Sequence, residues 1–249
     1  MNLYHETNQK RWQKAARKWR EMHDRRGTWK LVSTKPDLVL IPQEIKWLQE
    51  VKNKQVCVLG SGDNLVVFAL AGMGAAVTSV DISEAQLENA ERRARELELN
   101  ITFQCADVAD LAMIADRTFD FVYTGGHVAI WVADLQQYYR EATRILQPGG
   151  LFLINEYHPF RRIWADTPDA LSVKHSYFNR GPHCYEVAEG LFDEESGDIP
   201  SYEFNWTIAD YVNAVMKTDS EILRLKSMAM TPKASKPPPW EGCPIISCL

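Results

Sequence analysis

A glycine-rich segment between two apolar runs constrains the fold more than any other part of this 249-residue chain. The first run, at residues 55–59, ends at Gly60-Ser61-Gly62-Asp63-Asn64, and a helical apolar run follows from Leu65. This order predicts a strand, a sharp turn and a helix. Glycines at such a turn let the backbone bend and leave room for a ligand to approach it.

A second apolar run, at residues 76–80, ends at Asp81. In a strand–helix–strand unit, an acidic residue about twenty positions after the first glycine is typical of a ribose-binding carboxylate. The two features together predict a nucleoside-containing ligand, whereas the glycines alone also fit a turn that binds nothing. Leu65 stands where the dinucleotide fingerprint has its third glycine, which favours a nucleoside without phosphates over NAD or FAD.

Strand and helix patterns alternate from residue 52 to residue 156, which predicts an α/β fold with a doubly wound, mostly parallel sheet and right-handed crossovers. The predicted strands are residues 55–59, 76–81, 101–105, 119–123 and 151–155. Ligands of such sheets bind beyond the carboxyl ends of the strands. The residues at those ends are Gly60, Asp81, Asp107, Thr124 and Glu156. We therefore expect these five loops to meet at one crevice.

Composition narrows the class of protein. A hydrophobic content of 45% and a charged content of 24% are typical of a soluble globular protein, and the net charge of −5 argues against an overall attraction to nucleic acid. No apolar run approaches the roughly 20 residues of a membrane span, and no signal-peptide pattern is visible. The five cysteines are scattered, which favours reduced thiols in the cytoplasm over structural disulfides or a zinc site.

Three segments flank the predicted core at 52–156. Residues 1–51 are predicted as an N-terminal helical cap, in which the basic helix 6–23 carries Trp12 and Trp19. That pattern fits an amphipathic helix docked on the core, with RNA binding as the alternative. Residues 157–206 are aromatic-rich and aperiodic, which favours a substrate lid over a surface excursion. Residues 207–249 are predicted as a helix followed by an antiparallel pair, 221–227 and 245–249.

Several motifs, in this order, resemble those of the class I S-adenosylmethionine-dependent methyltransferases. They are Val58-Leu59-Gly60-Ser61-Gly62, Asp81-Ile82-Ser83, Ala106-Asp107-Val108, Phe119-Asp120-Phe121-Val122-Tyr123 and Leu146-Gln147-Pro148-Gly149-Gly150-Leu151. The similarity is greatest to small-molecule enzymes akin to those of quinone biosynthesis. The resemblance implies a Rossmann-like methyltransferase fold with seven strands, an insertion after the fifth strand, and S-adenosyl-L-methionine as cofactor.

The resemblance also implies roles for individual residues. Asp81 is expected to hold the ribose hydroxyls, Asp107 the adenine amino group, and the backbone carbonyls of Thr124 and Gly125 the methionine ammonium. The expected cofactor-binding residues are Trp19, Gly60, Ser61, Gly62, Asn64, Asp81, Ile82, Gln86, Asp107, Val108, Thr124 and Gly125. The chain departs from the family at Val58 and Asn64, where an acid and a glycine are usual; Asp63 or Asn64 is a candidate replacement for the missing polar contact.

Methyl transfer to oxygen or nitrogen can require a base that removes a proton from the acceptor. The candidates at strand ends are His158, Glu156 and His127, with His158 the first choice, and each also fits a purely structural role. No metal site is expected. The predicted function is methyl transfer to a small-molecule acceptor. Alternatives are an RNA methyltransferase, an NAD-dependent oxidoreductase on the same sheet, or a cofactor-binding protein without activity. The sequence identifies neither the acceptor nor the oligomeric state.

Overall fold

The five apolar runs predicted as strands lie side by side in one sheet. The computed structural model describes residues 1–165, 172–185, 199–228 and 245–248. The strands are β1 (Gln55–Leu59), β2 (Ala76–Asp81), β3 (Ile101–Cys105), β4 (Phe119–Gly125) and β5 (Leu146–Tyr157). Their order is β3-β2-β1-β4-β5, and every neighbouring pair is parallel. The predicted doubly wound, mostly parallel sheet is confirmed.

Helices cover both faces of this sheet. They are α1 (Leu3–Arg26), α2 (Pro42–Trp47), α3 (Leu65–Gly72), α4 (Glu84–Glu96), α5 (Leu135–Arg144) and α6 (Ile208–Met216). Side chains of β1 alternate between two hydrophobic cores: Val56 and Val58 pack with α3 and α4, and Cys57 and Leu59 pack with α5 and α6. This alternation follows from the two-residue period of a strand that is buried on both sides.

Side-chain caps fix the start of the helices nearest the strand ends. Ser83 Oγ accepts the Gln86 N–H before α4, Asp134 Oδ1 accepts the Gln137 N–H before α5, and Thr207 and Asp210 form a reciprocal capping box before α6. The sequence predicts all three caps, because a Ser, Thr or Asp precedes each apolar helical run.

Two strand pairs lie beyond the parallel core. The insertion contains a separate antiparallel ribbon of β6 (His183–Tyr185) and β7 (Ser201–Glu203). At the β5 edge of the main sheet, β9 (Ile245–Cys248) pairs antiparallel with β5 and with β8 (Leu225–Met228). The prediction of a strand from residue 221 is wrong for residues 221–224, which precede β8 without regular structure. Parts of the predicted lid, 166–171 and 186–198, and residues 229–244 lie outside the described residues.

Cys57 and Cys105 lie in predicted strands that we expected to be buried, and this expectation is wrong for Cys105. Cys57 is fully buried in the central strand β1, but Cys105 is exposed. The reason is the position of Cys105 at the end of β3, which has a neighbour on one side only among the described strands. Within the described part of the chain, no helix is both long enough and apolar enough to cross a membrane.

Candidate functional site

The glycine turn after β1 presents alternate residues to opposite sides. Ser61 and Asp63 are buried, whereas Gly60, Gly62 and Asn64 are partly exposed. The Ser61 hydroxyl lies 2.6 Å from that of Ser79 in β2, so it ties the turn to the sheet. Asn64 caps α3, because its Oδ1 accepts the Val66 N–H. The partly exposed residues, rather than Ser61, are therefore the ones placed to contact a ligand.

Gly60 and Gly62 are required for different reasons. Gly60 has φ +62°, and a Cβ there would lie 2.6 Å from a Val128 methyl group, so the missing side chain lets the loop after β4 pack on the turn. Gly62 has φ +48°, a conformation that favours glycine, and the space beside it is bordered by Asp81 and Gln86. Of these two glycines, Gly62 is the one whose open side faces polar side chains.

The Asp81 carboxylate lies at the tip of β2, directly beside the glycine turn. Its Oδ2 accepts the Gly62 N–H at 2.7 Å and its Oδ1 accepts the Ser83 N–H at 2.8 Å. Burial raises the pKa of Asp81 to about 6 despite these backbone donors. Each carboxylate oxygen has two acceptor positions, so both oxygens keep capacity for two neighbouring hydroxyl groups.

Gln86 adds a second polar group to this corner. Its side chain is 2% exposed, and its Oε1 has no hydrogen-bond partner within the described residues. A Cβ built on Gly62 would lie 3.8 Å from Gln86 Cβ, which places the base of the Gln86 side chain next to the open side of the turn. Buried amide oxygens are rarely left unpaired in proteins, so this atom indicates a missing polar partner. The corner formed by Gly62, Asp81 and Gln86 therefore fits the hydroxyl-bearing part of a nucleoside.

Asp63 has a structural partner. It forms a fully buried ion pair with Arg93 of α4, and the Arg93 guanidinium also contacts Asp24 and the Arg20 carbonyl of α1. This arrangement removes Asp63 as the simplest replacement for the polar contact missing at Val58. Arg93 instead fixes the glycine turn to α4 and α1.

The loop after β3 holds the next predicted pair. Val108 is buried in the core that contains α5, so its side chain serves packing. Asp107 is 7% exposed; its Oδ1 accepts the Ala109 N–H at 3.0 Å and its Oδ2 lies 2.6 Å from His5 Nδ1. Burial alone would raise the pKa of Asp107, but the hydrogen bonds from His5 and Ala109 outweigh it and lower the pKa below its usual value.

Helix α1 covers the carboxyl ends of β2 and β3. Residues spaced by four positions make the contacts: His5 meets Asp107, Gln9 Nε2 donates to the Ile82 carbonyl at 2.9 Å, and Gln13 Oε1 accepts the Ala85 N–H at 2.7 Å. Such a spacing places the three side chains on one face of the helix. Helix α1 thus lies against the core, and polar side chains make much of the contact.

Tryptophans extend the same cover toward the loop after β4. Trp12 packs edge-to-face on Trp131 at 5.4 Å between ring centroids and on Trp19 at 5.9 Å. Trp19 also packs on His23 within α1. The predicted cofactor residue Trp19 therefore belongs to an aromatic row above the crevice, and both of its described ring contacts are with α1 residues.

The end of β4 combines a buried strand tip with a sharp turn. The Thr124 side chain is fully buried, and its hydroxyl lies 2.5 Å from the Tyr138 hydroxyl, so only its backbone faces the crevice loop. Gly125 ends β4, and a Cβ there would lie 2.5 Å from the Tyr123 hydroxyl. Gly126 and His127 follow with φ +83° and +74°. This turn places His127 beside the end of β5.

Glu156 and His127 are two titratable residues at this end of the sheet that carry buried polar atoms without a described partner. Glu156 is 2% exposed; its Oε1 accepts the Ala129 N–H at 2.9 Å, and its Oε2 has no partner within the described residues. Burial raises the pKa of Glu156 to about 7. Both ring nitrogens of His127 are buried and have no hydrogen-bond partner among the described residues. Burial is the main reason why the pKa of His127 lies well below its usual value, and the charges of Arg162 and Arg161 lower it further.

His158 occupies a different setting. It precedes the 3₁₀ turn Pro159–Ile163, and its Nδ1 accepts the Phe160 N–H at 3.1 Å. The ring is partly exposed. Its Nδ1 is thus used as a cap, which leaves Nε2 as the nitrogen able to take a proton from an acceptor. Among the described residues, no group of three His, Cys, Asp or Glu side chains has a metal-binding arrangement.

Comparison with known proteins shows similarity to methyltransferases. Residues 57–154 match the model of a methyltransferase domain. The chain is similar to the class I S-adenosylmethionine-dependent methyltransferases. Two solved structures share the fold: a methyltransferase of this type from Mesorhizobium loti, with a TM-score of 0.62 and 22% identity over 80% of this chain and 92% of that one, and another from Methanosarcina mazei, with a TM-score of 0.62 and 18% identity over 84% and 96%.

The curated relatives include a ubiquinone biosynthesis O-methyltransferase of Coxiella burnetii. It is 34% identical over 154 residues, which are 61% of this chain and 65% of the relative. The chain thus spans slightly less than two thirds of the length of that relative. The resemblance to quinone-biosynthesis methyltransferases read from the motifs is confirmed.

Sequence reasoning missed three residues that shape the site: His5, Gln13 and Arg93. The only signal for the first two was the spacing of polar residues at positions 5, 9 and 13 on a helical face. For Arg93 there was no local signal, because its partner Asp63 lies 30 positions away.

Proposed function

We propose that this protein is an S-adenosyl-L-methionine-dependent methyltransferase that acts on a small hydroxylated acceptor. The observation that carries the proposal is the Asp81 carboxylate, held beside the glycine turn by the Gly62 N–H at 2.7 Å. A carboxylate at the tip of the second strand matches the two hydroxyls of a ribose. The unpaired Oε1 of Gln86 supports the same reading.

The remaining cofactor contacts follow from the crevice. The backbone at Gly62 and Asn64 borders the open side of the turn, and the carbonyls of Thr124 and Gly125 end β4 opposite it. Asp107 closes the far end, where its carboxylate accepts hydrogen bonds on both oxygens and has acceptor positions left over. Gly60, Ser61, Ile82 and Val108 shape the site through packing or backbone contacts, and α1 with Trp19 covers it.

S-adenosyl-L-methionine, when bound, supplies a methyl group on a positively charged sulfur. The protein has to exclude water, orient the acceptor and take up the proton that an attacking hydroxyl loses. Glu156 is the best placed of the three candidates for the last task, because its Oε2 is unpaired and its pKa lies at about 7. A base is most effective when its pKa is close to the working pH.

His127 and His158 take supporting roles in this proposal. The pKa of His127 lies so far below its usual value that the ring is a poor proton acceptor, but its unpaired nitrogens can orient an acceptor hydroxyl. His158 uses one nitrogen as a cap on the following turn. The first choice made from the sequence, His158, therefore gives way to Glu156.

The name of the Coxiella burnetii relative suggests the acceptor class. We infer a hydroxylated aromatic acceptor, methylated on oxygen, since a buried carboxyl that ionises near neutral pH suits a phenolic proton. The oxidoreductase alternative is not supported, because the comparisons name methyltransferases. The RNA methyltransferase alternative is not supported either, because α1 turns part of its basic surface inward, as Arg11 is 3% exposed.

Incubation with a methyl-labelled cofactor and a panel of catechols, hydroquinones and hydroxybenzoates tests the proposal. We expect label in at least one aromatic product, and much less with Asp81→Asn or Glu156→Gln. A matched control is Asp120→Asn, which alters a carboxylate at the opposite ends of the strands. Lack of transfer to every compound, together with lack of cofactor binding, would contradict the proposal.

A further inference from the structure

The imidazole of His5 bridges two loops of the crevice that are far apart in the chain. His5 lies near the start of α1 and is 3% exposed. Its Nδ1 lies 2.6 Å from Asp107 Oδ2 in the loop after β3, and its Nε2 lies 2.8 Å from the Ala133 nitrogen in the loop after β4. His5 is therefore the one described α1 side chain that contacts the predicted adenine-binding carboxylate.

The two contacts determine where the ring carries its proton. The Ala133 backbone nitrogen is an obligatory donor, so Nε2 accepts and carries no hydrogen. The proton then resides on Nδ1, which donates to Asp107 Oδ2. The Ala109 N–H donates to Oδ1. The carboxylate is held by one donor on each oxygen, and each oxygen keeps a second acceptor position.

We propose that His5 is a positioning residue that makes the site selective for 6-aminopurine nucleosides over 6-oxopurine nucleosides. The inference rests on the proposed function. A fixed, ionised carboxylate accepts a hydrogen bond from an exocyclic amino group. Opposite a 6-oxo group, two acceptors would face each other, and the lone pairs between them would have no donor.

The ionisation state of Asp107 supports this selectivity. The hydrogen bonds from His5 and Ala109 outweigh the effect of burial and lower the pKa of Asp107, so the group remains a pure acceptor at neutral pH. A carboxyl freed from His5 in the same buried position would be able to rotate or to take up a proton. A protonated carboxyl can donate a hydrogen bond to a 6-oxo group and can still accept one from a 6-amino group, so it would bind both kinds of purine.

Docking of α1 does not depend on His5 alone. Gln9 and Gln13 bind the loop after β2 and the start of α4, and Asn89 Nδ2 donates to the Ala16 carbonyl at 3.2 Å. Loss of His5 should therefore leave the helix in place and remove a contact that acts on Asp107. This separation makes the selectivity role testable.

Two substitutions separate the two contacts of the His5 imidazole, with Asp107 and with Ala133. The Asn amide in His5→Asn reaches the position of Nδ1 and keeps a donor for Asp107. The longer Gln amide in His5→Gln reaches the position of Nε2 and keeps an acceptor for Ala133. Calorimetry with S-adenosylhomocysteine and S-inosylhomocysteine would be run on both variants, on the wild type and on Gln9→Ala, which alters another α1 contact.

We expect the wild type and His5→Asn to bind the adenosyl ligand at least about tenfold more tightly than the inosyl ligand, as for one charge-assisted hydrogen bond. In His5→Gln the ratio should fall toward one. Gln9→Ala should lower both affinities and keep the ratio. In the wild type, ¹⁵N NMR of the imidazole should show the proton on Nδ1, a measurement that needs no substitution.

Four results would overturn the inference: an unchanged ratio in His5→Gln, tighter adenosyl binding in that variant, equal binding of both ligands by the wild type, or a proton on Nε2. Lack of binding of both ligands by the wild type would instead contradict the proposed function itself. The two failures are thus distinguishable.

Discussion

Arg93 and Asp63 form an ion pair in which both side chains are fully buried. The pair lies beneath the glycine turn, and Arg93 also reaches Asp24 at 2.9 Å. Burial raises the pKa of Asp63 to about 6 even though the Arg93 charge acts in the opposite direction. The turn that carries Gly62 is therefore fixed from below by an arginine that also holds α1.

We expect Arg93→Met to lower the free energy of unfolding by about 3–5 kcal/mol, because it leaves the Asp63 carboxylate buried and unpaired. Asp63→Asn should cost less, since Arg93 keeps Asp24 and the Arg20 carbonyl as partners. Urea unfolding measures both. Arg95→Met is the control: its ion pair with Glu91 is exposed and should contribute less than about 1 kcal/mol. Equal losses for Arg93→Met and Arg95→Met would contradict this role.

Glu156 should make stability depend on pH. Its pKa is about 7 in the folded protein and lies near 4.3 in an unfolded chain, so the folded state alone keeps the proton between these values. Stability therefore decreases as the pH rises through this window. Glu156→Gln removes the effect, and its Tm relative to the wild type should increase from about pH 5 to about pH 8. A constant Tm difference in thermal scans would show that the carboxyl titrates elsewhere.

The same carboxyl should govern turnover. A base has to be ionised, so kcat with a phenolic acceptor should rise with pH through about 7. Glu156→Gln should lower kcat by about 10²–10⁴-fold and abolish this rise, with little effect on cofactor affinity. His158→Gln, which alters the neighbouring histidine, should change kcat far less. If His158→Gln is the more damaging substitution in steady-state assays, the base has been misassigned.

Asp81 should make cofactor binding depend on pH in the acidic range. Its pKa is about 6, and a protonated carboxyl loses acceptor positions for the ribose. The affinity for S-adenosylhomocysteine should fall about tenfold between pH 8 and pH 5 in the wild type. Asp81→Asn should bind weakly and show no such trend. Binding isotherms at several pH values distinguish the two cases; a fall of equal size in Asp81→Asn would assign the effect to another group.

The sequence predicts the central fold well because its signals are local. The runs predicted at β1, β2 and β3 match the observed strands residue for residue. The signal is clearest at β1, which is buried at every position after Gln55 and is apolar there, as expected for a strand covered on both faces. The prediction ends β4 too early, at Tyr123, and starts β5 too late, at Leu151. Glycine and proline next to these runs suggested turns, but pairing with neighbouring strands extends both elements.

Only part of the candidate site can be predicted from the sequence. The position of Asp81 follows from strand order, so its place beside Gly62 could be predicted. The partners of Asp63 and Asp107 lie 30 and 102 positions away, and polar contacts at such separations leave no periodic signal in one sequence. The base that we propose, Glu156, also differs from the first choice made from the sequence, because burial and unpaired atoms, unlike residue type, depend on the tertiary environment.

The central claim is that a nucleoside-bearing sulfonium cofactor binds at Gly62 and Asp81, and calorimetry tests it most directly. The wild type should bind S-adenosylhomocysteine and not NADH. Asp81→Asn should weaken that binding by about 1–3 kcal/mol, whereas Asp120→Asn at the opposite strand ends should leave it unchanged. Binding of NADH in preference, or equal affinity in the wild type and Asp81→Asn, would contradict the account.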